Sequence, residues 1–190
     1  MLKRLILPAL FAIALSSCTI PVTGKGSIPQ AAASVQIGKT TYQELQAELG
    51  APPLSDRKGD RQIANWLTSG VGMGAASVMG TNDIVMNSLG VEYDRSGIVR
   101  RSVSHINKRK NTLATPFHTS HVAGASRDPG RFSRMKHVSQ IEAELGSPQA
   151  KRISFEGESW VWVGYPGSSG NGVFTAELDR NGRVLRTALK

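Results

Sequence analysis

Cysteine is almost missing from this chain: one thiol, Cys18, stands among 190 residues. A single thiol excludes an intramolecular disulfide, so any folded body here is held by packing alone. Acidic residues are also scarce, with 14 Asp+Glu against 23 Lys+Arg and a formal net charge of +9. Long apolar runs are absent too. The longest, Leu5 to Leu15, is too short to span a bilayer, and Pro8 interrupts it. Recognisable catalytic signatures are missing as well. There is no Ser-His-Asp pattern, no pair of catalytic carboxylates, no P-loop and no dinucleotide-binding loop. His118-x-x-His121 is the one pair at metal-ligand spacing, and with no carboxylate or cysteine close by it does not make a metal site. Glu48 and Glu144 read as ordinary surface charges. The expectation is a non-enzymatic chain without cofactor or metal.

The short apolar run has a meaning of its own. Lys3 and Arg4 precede it, and Leu15-Ser16-Ser17-Cys18 ends it. This resembles the lipobox of bacterial lipoproteins, an aliphatic residue and two small ones before the acceptor cysteine. The resemblance implies residues 1–17 as a cleaved signal peptide and acylation of Cys18, with several acyl chains giving stable anchoring. Thr19 follows in place of the Asp that would favour inner-membrane retention, which implies the outer membrane with the body facing the periplasm.

Without Lys3 and Arg4 the charge is still about +7. Behind a signal peptide, nucleic acid is not the expected partner. Anionic lipid, lipopolysaccharide phosphates or acidic protein surfaces are, and plain solubility is the alternative. Residues 18–34, rich in Pro, Gly, Ser and Ala, read as the lipidated tether, with a reach of roughly 20–25 Å if flexible.

An internal repeat organises the rest. Ala47, Glu48, Leu49, Gly50 and Pro52 recur 96 residues later as Ala143, Glu144, Leu145, Gly146 and Pro148, and Trp66 falls on Trp162. Further on, Glu92, Asp94, Arg95, Gly97, Val99 and Arg101 recur 85 residues later as Glu177, Asp179, Arg180, Gly182, Val184 and Arg186. The difference of 11 places extra residues in the first copy between its Trp and its Asp-Arg turn.

Each copy has one physical grammar. Thr41 and Glu44 form a capping box, Tyr42, Leu45 and Leu49 lie on one helical stripe, and Gly50 with Pro52 stops the helix. Val138, Ile141 and Leu145 repeat the stripe without the capping box. Strands follow near 63–67, 91–94 and 98–104, and near 159–163, 173–179 and 183–189, with Asp-x-x-Gly turns before the last of each set. The fold class is α+β. Two tandem modules are expected, each of one or two helices on a three- to four-stranded antiparallel sheet: residues 35–106 and 137–190, joined by a basic linker over 107–136.

Ile37-x-x-Gly-Lys-Thr-Thr-x-x-x-Leu-x-x-x-Leu-Gly-Ala-Pro, a tryptophan, and the Val-x-Tyr-Asp-x-x-Gly-x-Val turn together resemble the SmpA/OmlA (BamE-like) outer-membrane lipoproteins. Their module shares its fold with the tandem domains of β-lactamase inhibitor proteins. The resemblance implies a periplasmic protein-binding adaptor in envelope or outer-membrane complex assembly and integrity. The alternative is an inhibitor or exclusion lipoprotein that masks an envelope enzyme or receptor. Two modules where the barrel-assembly member has one, and the missing Gly-x-Thr entry in the second copy, point to a different partner.

Candidate partner-binding residues are Trp66, Trp160, Trp162 and Tyr165. Trp160 and Trp162 share one strand face and Val161 and Val163 the other; the tryptophans either line an open sheet face or belong to the core. The Gly-rich insertion 68–90, uncharged until Asp83, contacts membrane or partner, or closes on itself as a hairpin. The linker, with Lys108, Arg109, Lys110, Arg127, Arg131, Arg134 and Lys136, lies on anionic head groups or is simply solvated.

Overall fold

The computed structural model describes residues 26–72, 83–107, 129–163 and 172–190. Cys18 and the signal peptide, His118 and His121, Tyr165 and the tip of the insertion lie outside them. In chain order the elements are α1 (Ile28–Ser34), α2 (Tyr42–Leu49), β1 (Leu54–Lys58), β2 (Arg61–Gly72), β3 (Asp83–Tyr93) and β4 (Val99–His105). The second set is α3 (Pro129–Ser133), α4 (Val138–Leu145), β5 (Ala150–Ile153), β6 (Gly157–Val163), β7 (Val173–Asp179) and β8 (Val184–Leu189). The strands form two antiparallel four-stranded meanders, β1-β2-β3-β4 and β5-β6-β7-β8. The chain is α+β with two tandem modules, each a short helix and a longer one on its own sheet.

The helices start and stop as local chemistry directs. Thr41 Oγ1 accepts from the N–H of Glu44, and a Glu44 carboxylate oxygen accepts from the N–H of Thr41 at 2.7 Å. In α4 only half of that device survives: Gln140 Oε1 accepts from the N–H of His137 and of Lys136. Gly50 and Gly146 end α2 and α4 at φ 80° and 73°.

One boundary moves. Residues 28–34, expected within the tether, form α1, with Ile28 and Ala31 fully buried in the first core. Ser27 Oγ caps the helix by accepting from the N–H of Gln30, and Pro29 sits at its start, where a missing N–H costs nothing. A composition typical of linkers is thus also that of a short capped helix. α3 plays the same part in the second module, putting Phe132 of the expected basic linker into the core. The insertion extends a hairpin, with β2 and β3 paired from Gln62↔Tyr93 out to Gly72↔Asp83.

Both cores use equivalent positions. Leu45, Leu49, Trp66, Leu89, Val91 and Val99 of the first correspond to Ile141, Leu145, Trp162, Phe174, Ala176 and Val184 of the second. Each central tryptophan also closes a helix end: Trp66 Nε1 donates to the Gly50 carbonyl at 2.9 Å, and Trp162 Nε1 to the Gly146 carbonyl at 2.8 Å. A carbonyl left orphaned by the end of a helix is satisfied from inside the core.

The two Asp-x-x-Gly turns are built alike. Asp94 Oδ1 accepts from the N–H of Ser96 and of Ile98, and Asp179 Oδ1 from those of Asn181 and Arg183. Gly97 and Gly182 take φ of 81° and 75°, a region that a side chain would disfavour. The hydrogen bonds from Ser96 and Arg100 hold the Asp94 carboxyl down at about 2.

Two outcomes follow. Trp66→Phe and Trp162→Phe, each removing the indole donor to a half-buried carbonyl, lower stability by about 1 kcal/mol in denaturant titrations. Because the folded-state value of Asp94 is depressed, its contribution is complete above the ordinary aspartate value of about 3.9 and is lost as pH falls through about 2. A carbon-detected NMR titration of the Asp94 carboxyl reads this directly; a midpoint near 3.9 would show the turn bonds to be absent in solution.

Candidate functional site: the open sheet faces

A sheet with helices on one side leaves its other side to be filled by something else. In the first module, strand alternation sends Ala64, Trp66, Leu89, Val91 and Tyr93 to the helices and Ile63, Asn65, Ser88, Gly90 and Glu92 to the open side. That open side is where the second module attaches.

What attaches is an edge. β5 is the outer strand of its sheet, and its outward amides need partners. They find side chains instead of a strand. Asn65 Oδ1 accepts from the N–H of Ile153 at 2.8 Å while Asn65 Nδ2 donates to the Ile153 carbonyl at 3.2 Å. Ser88 Oγ accepts from the N–H of Lys151 at 3.0 Å. The primary amide of Asn65 thus supplies one donor and one acceptor, as a neighbouring peptide group would. Gly90 permits the approach: a Cβ there would lie 2.8 Å from the Ile153 nitrogen and 2.5 Å from Asn65 Oδ1.

The turn between β5 and β6 is gripped by arginines. Arg61 donates to the Phe155 carbonyl at 2.9 Å, and Arg101 to the carbonyls of Ser154 and Gly157 at 2.6 and 3.0 Å. Both guanidinium groups rest on the carboxylate of Glu92, Arg61 at 2.5 Å and Arg101 at 3.2 Å, and Arg180 of the second module comes within 3.7 Å. Burial pushes the Glu92 carboxyl up, but the Arg61 hydrogen bond and the charges of Arg101, Arg61 and Arg180 outweigh it and hold the group ionised below its usual range. Beside this polar grip, Met86 packs with Ala150 and Val161, flanked by Leu67 and Val163.

In the second module the same face is differently furnished. Asn65, Ser88 and Gly90 correspond to Val161, Val173 and Thr175, and only Glu92 and Arg101 keep their types, as Glu177 and Arg186. Thr175 pairs with Ala188 and Glu177 with Arg186 across β7 and β8, so the four share a face. Ala188, Arg186 and Val173 are exposed and Thr175 and Glu177 half-buried, where Glu92 is buried. The β7–β8 part of this face is therefore uncovered, while Val161 on β6 is buried against Met86 of the first module.

The expected tryptophan site is corrected. Trp66 and Trp162 are fully buried on the helix side and present nothing to a partner. The alternation of Trp160 and Trp162 with Val161 and Val163 holds, but the aromatic set faces the helices and the valines the first module. Trp160 is also buried in the core cluster, with Lys151 Nζ 3.6 Å from its ring centroid and its Nε1 donating to Glu158 at 2.7 Å. Reading the sequence missed Asn65, Ser88 and Gly90. The available signal was a polar residue and a glycine inside strands at positions where the second copy has β-branched ones.

Among the described residues no three His, Cys, Asp or Glu side chains group as metal ligands, and no helix is long and apolar enough to cross a membrane. Comparison with known protein families, with curated proteins and with solved structures finds no match to this chain.

Replacing Glu92 with Gln removes the charge that balances two partly buried arginines. Equilibrium unfolding is expected to show a loss of about 3 kcal/mol, the scale for breaking a buried pair. A loss near zero would mean that the carbonyl contacts alone hold the joint.

Proposed function

We propose that this protein is a non-enzymatic, lipid-anchored adaptor of the outer membrane that binds an envelope protein through the exposed sheet face of its second module. One observation carries the reading: within this chain, the equivalent face of the first module already holds a β-hairpin by side-chain contacts. A surface that binds an edge strand once is a binding surface by construction, and its counterpart around Val173, Thr175, Glu177, Arg186 and Ala188 is uncovered. Val173 and Thr175 in place of Ser88 and Gly90 select a different partner, one met through apolar contact and the Glu177–Arg186 pair instead of a peptide-like amide.

The resemblance to the SmpA/OmlA lipoproteins supports the anchor and the compartment. With Cys18 acylated, the eight residues to Gly26 hold the body within about 27 Å of the membrane surface. Gly26 is itself fixed to the body, its N–H donating to the Glu48 carbonyl at 2.9 Å.

Two measurements test this. Fatty-acid labelling is expected in the wild type and not in Cys18→Ser, with the wild type in the outer-membrane fraction. A photo-crosslinking residue at Ala188 is expected to capture an envelope protein from intact cells, while one at Asp56 on the outer strand β1 does not. Capture of an envelope enzyme or receptor held inactive would move the reading to an inhibitor. Equal capture at both positions would overturn the assignment of the face.

A further inference from the structure

The duplication provides an internal control for every position, and at one place the second module differs from the first in charge but not in backbone. The segment leading from α3 into α4 meets the start of β8. His137 bridges Arg183 as Thr41 bridges Ile98. The Val184 N–H donates to the Lys136 carbonyl at 2.9 Å as the Val99 N–H does to that of Thr40 at 2.9 Å. On this shared frame, Gly38, Thr40, Thr41 and Ile98 of the first module become Arg134, Lys136, His137 and Arg183 of the second.

These four line an open cleft of about 420 Å³, with Met135 and Val184 as its apolar part. All four are exposed. What the cleft offers is side-chain charge: the N–H groups of Lys136 and His137 donate to Gln140 Oε1, that of Val138 to the Gly182 carbonyl and that of Gln140 to the His137 carbonyl. The neighbouring carboxylate, Asp179, is engaged in its turn: its Oδ1 accepts from Asn181 and Arg183 at 2.8 and 2.9 Å. It still feels the charges of Arg183 and His137, which help to hold it below its usual range after the backbone bond from Arg183.

We propose that this cleft is a binding site for a phosphate group, carried by an anionic lipid or free in solution. A phosphomonoester distributes up to two charges over three terminal oxygens around a tetrahedral centre. It therefore meets an ammonium, an imidazole and a guanidinium fork arriving from different directions, whereas a carboxylate presents two oxygens in one plane to one fork. The site does not depend on the adaptor reading, since it uses neither the sheet face nor the anchor.

The test uses the full chain carrying Cys18→Ser, so that no acyl chain contributes to vesicle binding. Inorganic phosphate, titrated at constant ionic strength, is expected to shift the backbone amide signals of residues 134–137 and 183–184 saturably. The triple variant Lys136→Thr, His137→Thr, Arg183→Ile installs the residues with which the first module folds at the same positions. It is expected to bind at least about tenfold more weakly with the core signals unchanged. Cosedimentation with phosphatidylcholine vesicles containing phosphatidic acid, lost in the variant, assigns the phosphate to a lipid. Saturable phosphate binding without vesicle binding assigns it to a soluble ester. Shifts that do not saturate, shifts retained in the variant, or tighter binding of polyglutamate than of phosphate at the same residues each overturn the site.

Discussion

The arrangement of this protein depends on one requirement, that the outward amides of strand β5 have partners. A sheet edge normally meets water, a covering loop or another strand. Here it meets the face of a second sheet, and a face offers only side chains. The pairing works because Asn65 presents a donor and an acceptor in one plane, at 3.2 and 2.8 Å from the Ile153 carbonyl and amide. It also works because Gly90 has no Cβ to fill the same space. Glu92 completes it by another route. Two arginines pointed at backbone carbonyls would repel each other in a half-buried joint, and the carboxylate between them allows both to be there.

The same requirement decides what the open face of the second module can hold. A third module would have to seat its edge on the open face of the second. That face has Val161, already buried against Met86 of the first module, where an amide is needed, Val173 where a hydroxyl is needed, and Thr175 where only glycine allows the approach. Glu177 and Arg186 remain as a cross-strand pair, so the electrostatic half of the grip persists and the peptide-like half is gone. At the other end, β1 carries Ser55, Asp56, Arg57 and Lys58 with every side chain exposed, an edge kept from pairing by charge. Neither surface therefore repeats the residues of the joint.

How much of this was legible in the sequence follows from what is local and what is not. The Thr41–Glu44 box, the glycine stops and the Asp94 and Asp179 turns need only residues within a few positions of each other, and each stands in the structure as its pattern indicates. The repeat made the second copy readable from the first. Two things were not local. Alternation along β6 separates Trp162 from Val161 but does not say which set faces the helices. That depends on the C-terminal carbonyls of α2 and α4, which the indole N–H groups reach from the core side. The joint between modules was hidden for a related reason. Asn65 reads as a polar interruption of a strand until the edge that it serves, 88 residues away, is placed beside it.

Duplication changes what each copy has to do. Once one module is committed to holding the other, its open face is no longer available, and its sequence is fixed by the neighbour it carries. Asn65, Ser88, Gly90 and Glu92 are all accounted for in this way. The second module is under no such demand, and it is there that the copies have diverged. Its face is β-branched where the first is amide-bearing, and the approach to its long helix carries Arg134, Lys136 and His137 where the first has Lys39 alone. These differences fall on exposed positions, where a change costs little stability, while the core frame of Leu145, Trp162 and Val184 stays in place. The first module, beside the proposed anchor, is accordingly the support, and the sheet surface left open is the β7–β8 face of the second.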